Sequence, residues 1–360
     1  MKKLMSVILV MVMTASMLVG CGGGNSKTNN GNKEVIEVKL WRSGNGEEWF
    51  KAMKEAFEKE YPEYAVEYTA FADAAAVLTG YGEEDIDTTD LYFAIGRDDA
   101  CLSLDDLLDS KAEGESKTIR EKFVPGMLDL VTQLDGSIRQ LTYGGGTIGI
   151  VYNKKLFDQA GITELPKTTN ELIIVCDMLK SNDIDVWCHF QNGGYWDYLT
   201  EVFATQYDGL DYRMNTFWAC KDENGNSPSK DVLLKKDGRY EALKMYEAIL
   251  TPEYVLSGSN SADHITMQTR FIHGQAAMMV NGTWMSNEMS QDASAEDFAV
   301  MKTPVISSIV NKLETVKKES QLSALVEAID AVTDGTKKVE DYKNGDAYMV
   351  GDVQVSAADT

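Results

Sequence analysis

RQLTYGGGTIGIVYNKKLF (residues 139–157) is the stretch on which the reading of the whole chain turns. Ile148, Ile150 and Val151 are β-branched and predict a strand. Asn153 predicts the cap of a helix carrying Leu156 and Phe157. The three glycines at 144–146 admit backbone angles closed to other residues. A strand entered through a loop without side chains predicts a crossing between two lobes, with that loop at the mouth of a cleft, and clefts of this kind bind small molecules. The same residues spell Gly144-x-Gly146-x-x-Gly149, the letters of a dinucleotide-binding fingerprint. That fingerprint needs a strand before it and a helix opening inside it, so that pyrophosphate sits on helix N–H groups. Here the strand-like run follows the glycines, which disfavours a nucleotide.

The chain has 360 residues and is 44% hydrophobic, enough for two domains with buried cores. Its net charge of −23 argues against nucleic acid and against a basic grip on anionic lipid. It leaves a neutral ligand open.

At the N-terminus, Lys2 and Lys3 precede an apolar run over 4–13, small and apolar residues to Met17, and then Leu-Val-Gly-Cys at 18–21. These are the charged, apolar and small-residue parts of a secretory signal. The run is shorter than the roughly 20 apolar residues of a membrane span. Leu-Val-Gly-Cys also resembles the lipobox of bacterial lipoproteins, whose cysteine is diacylated. Residues 1–20 then form the signal peptide and Cys21 the lipidated residue. The stretch that follows, to residue 34, has no large apolar side chain before it ends and reads as a flexible tether.

Beyond it the pattern turns globular. A strand is expected at 35–41, a helix at 47–61 stopped by Pro62, a second strand at 64–68, a third in DLYFAI (90–95) and a short amphipathic turn at 102–108, which together make an α/β lobe. EEDIDTTD (83–90) lacks the alternating ligands, central glycine and terminal glutamate of a calcium loop and reads as a solvated acidic loop. Helical spacing is expected again at 123–134, 172–179, 232–250 and 265–272, with strands at 185–188 and 276–280. Asn281-Gly282 reads as a tight turn that aims Trp284 from the first turn of a helix at the C-terminal edge of a sheet, where ligands of open α/β sheets sit.

FQNGGYWDY (190–198) is the densest aromatic patch. Sugars present flat C–H faces ringed by hydroxyls, so a sugar site wants aromatic plates beside Asn, Asp and Gln. Neighbours on a helix point about 100° apart, so Tyr195 and Trp196 cannot both face one core, and at least one of the two is expected to face ligand.

Other chemistry is sparse. His189, His264 and His273 have no metal-ligand spacing, and no Gly-x-Ser-x-Gly or phosphate-binding loop occurs. No metal, cofactor or catalytic residue is assigned. Cys101, Cys176, Cys188 and Cys220 show no framework spacing, which leaves disulfides and buried free thiols both open. The 57 acidic residues always supply a pair of carboxylates at the about 5–10 Å a glycoside hydrolase needs, so their presence decides nothing.

Taken in order, the lipobox and polar tether, DG-x-I followed by YGGGTIGIVYNKKLFDQAGI-x-ELPKT-x-x-EL, and F-x-x-GQAAMMVNGTW resemble the family 1 extracellular solute-binding proteins, the carbohydrate-binding lipoproteins of ABC importers. The likeness runs from residue 35 to about 301. It implies an α/β, two-lobed periplasmic-binding-protein type II fold with an interlobe ligand cleft. Lobe 1 would cover 35–145 and lobe 2 would cover 146–265, with 266–310 returning to lobe 1 and 311–360 returning toward lobe 2. By the same likeness Trp284 stacks on ligand and Tyr143, Gly144 and Gly145 line the cleft. Trp41, Asn192, Tyr195, Trp196 and Asp197 join them on a looser match. The implied partners are a neutral mono- or oligosaccharide, the permease subunits of an ABC transporter, and the membrane through the lipid on Cys21. The protein would be a non-catalytic monomer on the outer face of the cell membrane. A secreted carbohydrate-active enzyme and a sugar sensor or scavenging lectin without a permease are the alternatives. Family members usually continue past 321–332 with further helices, whereas this chain ends in YMVGDVQVSAADT, either cut short or diverged.

Overall fold

A computed structural model describes residues 33–72, 74–77, 91–93, 101–124, 126–133, 135–142, 146–190, 195–222, 224–226, 237–290, 297–345, 347–351 and 353–356. Contacts divide the chain into two compact units between Thr142 and Tyr143. The acidic loop at 83–90 and the signal and lipobox at 1–21 lie outside the described residues.

In the first unit β1 (Glu34–Trp41) is the middle strand of three, parallel to β2 (Tyr64–Phe71) and to β3 (Leu91–Phe93). Parallel neighbours need a crossover, and α1 (Glu48–Glu60) supplies it between β1 and β2. Its Phe50 drops between Tyr68 and Phe93, at 4.9 and 5.5 Å between ring centres, and packs with Val38, Leu40 and Val66 into this unit's core. A short helix, α2 (Asp105–Asp109), follows. Among the described residues of 123–134 no α-helix forms, although one was expected there. Arg120–Lys122 and Asp129–Val131 are single 3-10 turns, and Thr132 bridges to Ile138. Pro125 brings no N–H to a helix ladder and Gly126 takes φ +83°, so the apolar spacing there cannot be wound continuously.

The second unit starts with β4 (Ile148–Asn153) and α3 (Lys154–Gln159), where the Asn153 side chain accepts a hydrogen bond from the Leu156 N–H at 3.2 Å, as its position before the helix implies. After α4 (Thr169–Ser181) come β5 (Trp187–Cys188), α5 (Trp196–Asp208), α6 (Gly238–Ile249), α7 (His264–Ile272), β6 (Met278–Gly282), α8 (Met285–Glu288) and β7 (Phe298–Met301). The four strands lie in the order β5-β6-β4-β7, with β5 parallel to β6 and β4 antiparallel to both of its neighbours. Residues 266–310, read from the sequence as returning to the first lobe, are therefore built into the second unit's sheet: β6 and β7 flank β4 on its two sides. Period and propensity mark 276–280 as a strand, observed at Met278–Gly282, but do not say which strand it pairs with.

The C-terminal segment docks on the same unit. In α9 (Glu319–Thr333) the Glu319 carboxylate accepts from Thr168, from the Asn170 amide at 3.0 Å and from the Ser307 hydroxyl at 3.0 Å, while Ser323 donates to Glu171 at 2.6 Å. The small antiparallel sheet of β8 (Lys343–Asn344), β9 (Ala347–Val350) and β10 (Val353–Val355) closes Val350 and Val355 over Leu322, Leu325 and Val326.

Helices α5 and α6 meet backbone to backbone. The helix expected over 232–250 begins at Gly238, capped by Asp237, and a Cβ at Gly238 would lie 2.4 Å from the Ala204 carbonyl oxygen and 2.7 Å from its Cα. Gly238 N–H also donates to Asp208 at 3.0 Å. Helix propensity favours Gly→Ala by about 1 kcal/mol, whereas overpacking against rigid backbone costs about 1–3 kcal/mol. The clash wins: Gly238→Ala is expected to lower the midpoint of denaturant unfolding, and a raised midpoint would show that the two helices part freely.

Candidate functional site

The C-terminal ends of β5 and β6 and the N-terminal end of β4 lie on one edge of the second unit's sheet, because β4 runs against β6 with Ile148 opposite Gly282. Chain leaving β6 passes Thr283, whose N–H donates to the Thr147 carbonyl at 3.0 Å while its hydroxyl accepts from the Thr147 N–H at 3.3 Å. Trp284 follows as the residue before α8. Its indole folds back over the strand. A Cβ on Gly282 would stand 2.2 Å from the ring, and one on Gly146 would stand 3.0 Å from it. The Asn281-Gly282 pair is consequently not a turn, as the sequence suggested. Both residues are strand residues, and neither takes a positive φ.

Facing the indole is Tyr195, just before α5, with its ring centre 5.1 Å away at 62°. Burial raises the Tyr195 phenol, partly offset by a hydrogen bond with Trp284. Tyr198, one helical turn on and 59% exposed, extends the surface at 6.5 Å from Tyr195. Behind Tyr195 stand Phe190 at 6.2 Å and His264, the first residue of α7, at 5.3 Å.

A polar chain underlies the aromatic ledge. Asn281, with 0% exposure, donates to the Gln268 side-chain oxygen at 2.8 Å and accepts from the Gly282 N–H at 2.7 Å, and Gln268 donates to Glu288 at 2.8 Å. This chain joins β6, α7 and α8. Removing Asn281 leaves a buried amide without its partner, a loss of about 1–3 kcal/mol.

The candidates named from sequence divide. Tyr195 and Trp284 are brought together. Trp196 is core: it is 4% exposed and packs edge-on against Trp187 at 5.2 Å and Tyr246 at 5.1 Å. Its place as a ligand contact is corrected accordingly, since the 100° step from Tyr195 turns it into the unit. Asp197 is exposed in the first turn of α5. Trp41 ends β1 in the first unit, donating to the Ala72 carbonyl at 3.3 Å. Tyr143, Gly144, Gly145 and Asn192 lie outside the described residues. Two contributors, Tyr198 and His264, were not named as contacts. Tyr198 had a signal, being three residues from Tyr195 on one helix. His264 had none, because its contacts are made 69 and more residues away along the chain.

Gly149, the last glycine of the nucleotide-like fingerprint, lies inside β4, and no helix opens among the motif's described residues, 146–149. Among the described residues no group of three or more His, Cys, Asp or Glu side chains is placed to hold a metal ion. The four described cysteines are unbridged, and burial pushes the thiols of Cys176 and Cys188 up to about 12.

The family model described as bacterial extracellular solute-binding protein matches residues 43–309. The chain belongs to this family. As a member of a family of extracellular binding proteins, it is assigned outside the cytoplasm. A putative binding protein of Brucella abortus is 21% identical over 278 residues, covering 71% of this chain and 59% of that one. An uncharacterised ABC transporter extracellular-binding protein of Pyrococcus horikoshii is 25% identical over 199 residues, 50% of this chain and 44% of its own. This solute-binding protein thus spans about half the length of the curated relatives it matches. Among solved structures, a mannobiose complex of an ABC-transporter binding protein from Bifidobacterium animalis subsp. lactis has 22% identity and a TM-score of 0.53, covering 78% of this chain and 65% of that one. A protein from a study of xylan utilization by Caldanaerobius polysaccharolyticus has 17% identity and a TM-score of 0.57, covering 82% and 80%. A chitin oligosaccharide binding protein has 18% identity and a TM-score of 0.55, covering 77% and 68%. The α/β fold is that of the two-lobed solute-binding proteins, the periplasmic-binding-protein type II class.

The ledge depends on Gly282 having no side chain. Gly282→Ala is expected to displace the Trp284 indole and lower stability by about 1–3 kcal/mol. The check is near-ultraviolet circular dichroism alongside thermal melting. An unchanged aromatic spectrum would show that the indole is not held as described.

Proposed function

We propose that this solute-binding protein is the extracytoplasmic sugar or oligosaccharide receptor of an ABC importer, held to the outer face of the membrane by a lipid on Cys21 and delivering its ligand to the permease as a non-catalytic monomer. The observation that carries the reading is the Tyr195–Trp284 pair: two rings at the strand-end edge of an α/β sheet, backed by a chain of amide and carboxylate groups. Stacking plates suit the C–H faces of a sugar and the polar groups suit its hydroxyls. The mannobiose-bound and chitin-oligosaccharide-binding structures are in keeping with a ligand of that class. Trp41, Asp197 and the positions of Tyr143, Gly144, Gly145 and Asn192 are retained as further candidate contacts.

The test is titration calorimetry of the Cys21→Ser protein against mannobiose, chitobiose, xylobiose and raffinose. One sugar is expected to bind at micromolar dissociation or tighter, about −8 kcal/mol, without turnover. Trp284→Ala is expected to lose at least about 2 kcal/mol, roughly thirtyfold, with its melting temperature little changed. A buried core tryptophan would instead cost about 3–5 kcal/mol of stability. A variant that melts far lower and still binds normally would remove Trp284 from the site. Release of sugar products on long incubation would overturn the non-catalytic reading.

Anchoring has its own check. Acyl chains contribute about 0.8 kcal/mol per buried CH₂, and a chain of net charge −23 has little else to attract anionic lipid. Cys21→Ser is expected to move the protein from the membrane to the soluble fraction. Retention through detergent-free washing would assign the attachment to another segment or to a partner.

A further inference from the structure

The aromatic ledge has a titratable group behind it that stacking on a sugar does not require. His264 opens α7, its cap Asp263 accepting from the Thr266 N–H at 2.7 Å. Its ring centre lies 5.0 Å from Phe190 at 64° and 5.3 Å from Tyr195 at 88°. Tyr195 therefore has the imidazole against it as well as the Trp284 indole, and His264 connects α7 to the ledge. Among the described residues the buried Nε2 of His264 has no hydrogen-bond partner. The charged groups that face it are Glu288 of α8 and Asp263 of its own helix, while the tyrosine it touches is itself un-ionised at neutral pH. Glu288 already accepts from Gln268 and Asp263 from Thr266, so neither carboxylate is idle. A second imidazole, His189, packs on Phe190 at 6.3 Å and on Trp196 at 5.9 Å.

We propose that His264 is the positioning residue of Tyr195, and that its protonation releases Tyr195 from Trp284, so that the ledge loses sugar affinity as the pH falls. This rests on the sugar-binding reading above. A neutral imidazole can sit among Phe190 and Tyr195 with one nitrogen unfilled. An imidazolium has two N–H donors, and one without an acceptor in a buried setting is costly. It gains an acceptor by drawing Glu288 from Gln268 or by moving outward to water, and either motion removes the support behind Tyr195.

The sign follows from burial. Burial lowers the imidazole of His264 from its ordinary range, against the opposing pull of Glu288 and Asp263, so the packed arrangement favours the neutral form. The arrangement with His264 turned out titrates nearer the usual value of about 6.5 and binds the proton more tightly. Affinity is thus constant above that value and falls below it, by at most about tenfold per pH unit for one linked proton. Burial lowers His189 as well, so the variants must separate the two.

The experiment uses the Cys21→Ser protein and two readouts between about pH 7.5 and about pH 5, on either side of the unperturbed imidazole value. The first is the Trp284 indole N–H resonance in ¹⁵N-edited NMR without ligand, assigned by Trp284→Phe. The second is calorimetric affinity for whichever of mannobiose, chitobiose, xylobiose or raffinose binds best. The wild type is expected to show a one-proton transition in both. His264→Phe, which keeps a ring against Tyr195 without titrating, should abolish it, and His189→Phe should leave it in place. If His264→Phe does not fold, His264→Gln serves as a second non-titrating variant with the same expectation. A transition that survives in the non-titrating variant, or no transition in the wild type, overturns the proposal. If no sugar binds at either pH, the sugar reading fails, while the indole resonance still decides the role of His264.

Discussion

The site edge depends on one close approach: the Trp284 indole lies against backbone at two positions that carry no side chain. A Cβ at Gly282 would sit 2.2 Å from the ring and one at Gly146 would sit 3.0 Å from it. These two glycines belong to neighbouring strand ends, because Ile148 pairs with Gly282 and Thr147 exchanges hydrogen bonds with Thr283. The register of β4 on β6 therefore sets where the indole can lie. A slip of one residue would turn the slipped strand's side chains to the opposite face and part the two glycines that now make room for the ring. With the indole fixed, Tyr195 has a surface to meet edge-on.

The buried amides beneath serve the same end from the other side. Asn281 is wholly enclosed, so its hydrogen bonds to Gln268 and to the Gly282 N–H are made without competition from water. They tie the end of β6 to α7, which brings His264 to the back of Tyr195, and through Gln268 to Glu288 in α8. In a protein of net charge −23 this edge is built mainly from rings and amides, with Glu288 as the carboxylate of the polar chain.

Local signals made much of this legible. The β-branched run over Ile148, Ile150 and Val151 and the cap at Asn153 depend on near neighbours in the chain, and they form as read. The glycines were read through their conformational freedom, yet Gly146 and Gly282 have ordinary φ values and are needed for an approach made by a residue that is distant from one of them in sequence. No windowed pattern carries that information. The same limit explains why residues 266–310 were sent to the wrong unit: a strand's composition states its burial and not its partner. At 123–134 the failure is local, since apolar spacing was weighed above a proline at 125, which offers no N–H, and above Gly126, which takes φ +83°.

Tyr195 and Trp196 show how the core and the site are coupled. The two side chains leave the start of α5 in directions about 100° apart, so fixing one fixes the other. Trp196 is fixed by Trp187, Tyr246 and His189, three rings from β5, α6 and the segment after β5, and its carbonyl accepts from the Tyr246 hydroxyl at 3.0 Å. Burying it is worth a few kcal/mol, far more than the edge contact of Tyr195 with Trp284 contributes. The core residue therefore decides the azimuth of α5, and the half-buried Tyr195 inherits its direction. A substitution at Trp196 that keeps the helix but rotates it would carry Tyr195 off the indole without touching the site itself. Helix geometry says only that the two rings cannot both enter one core, and packing from three distant elements makes Trp196 the one that does.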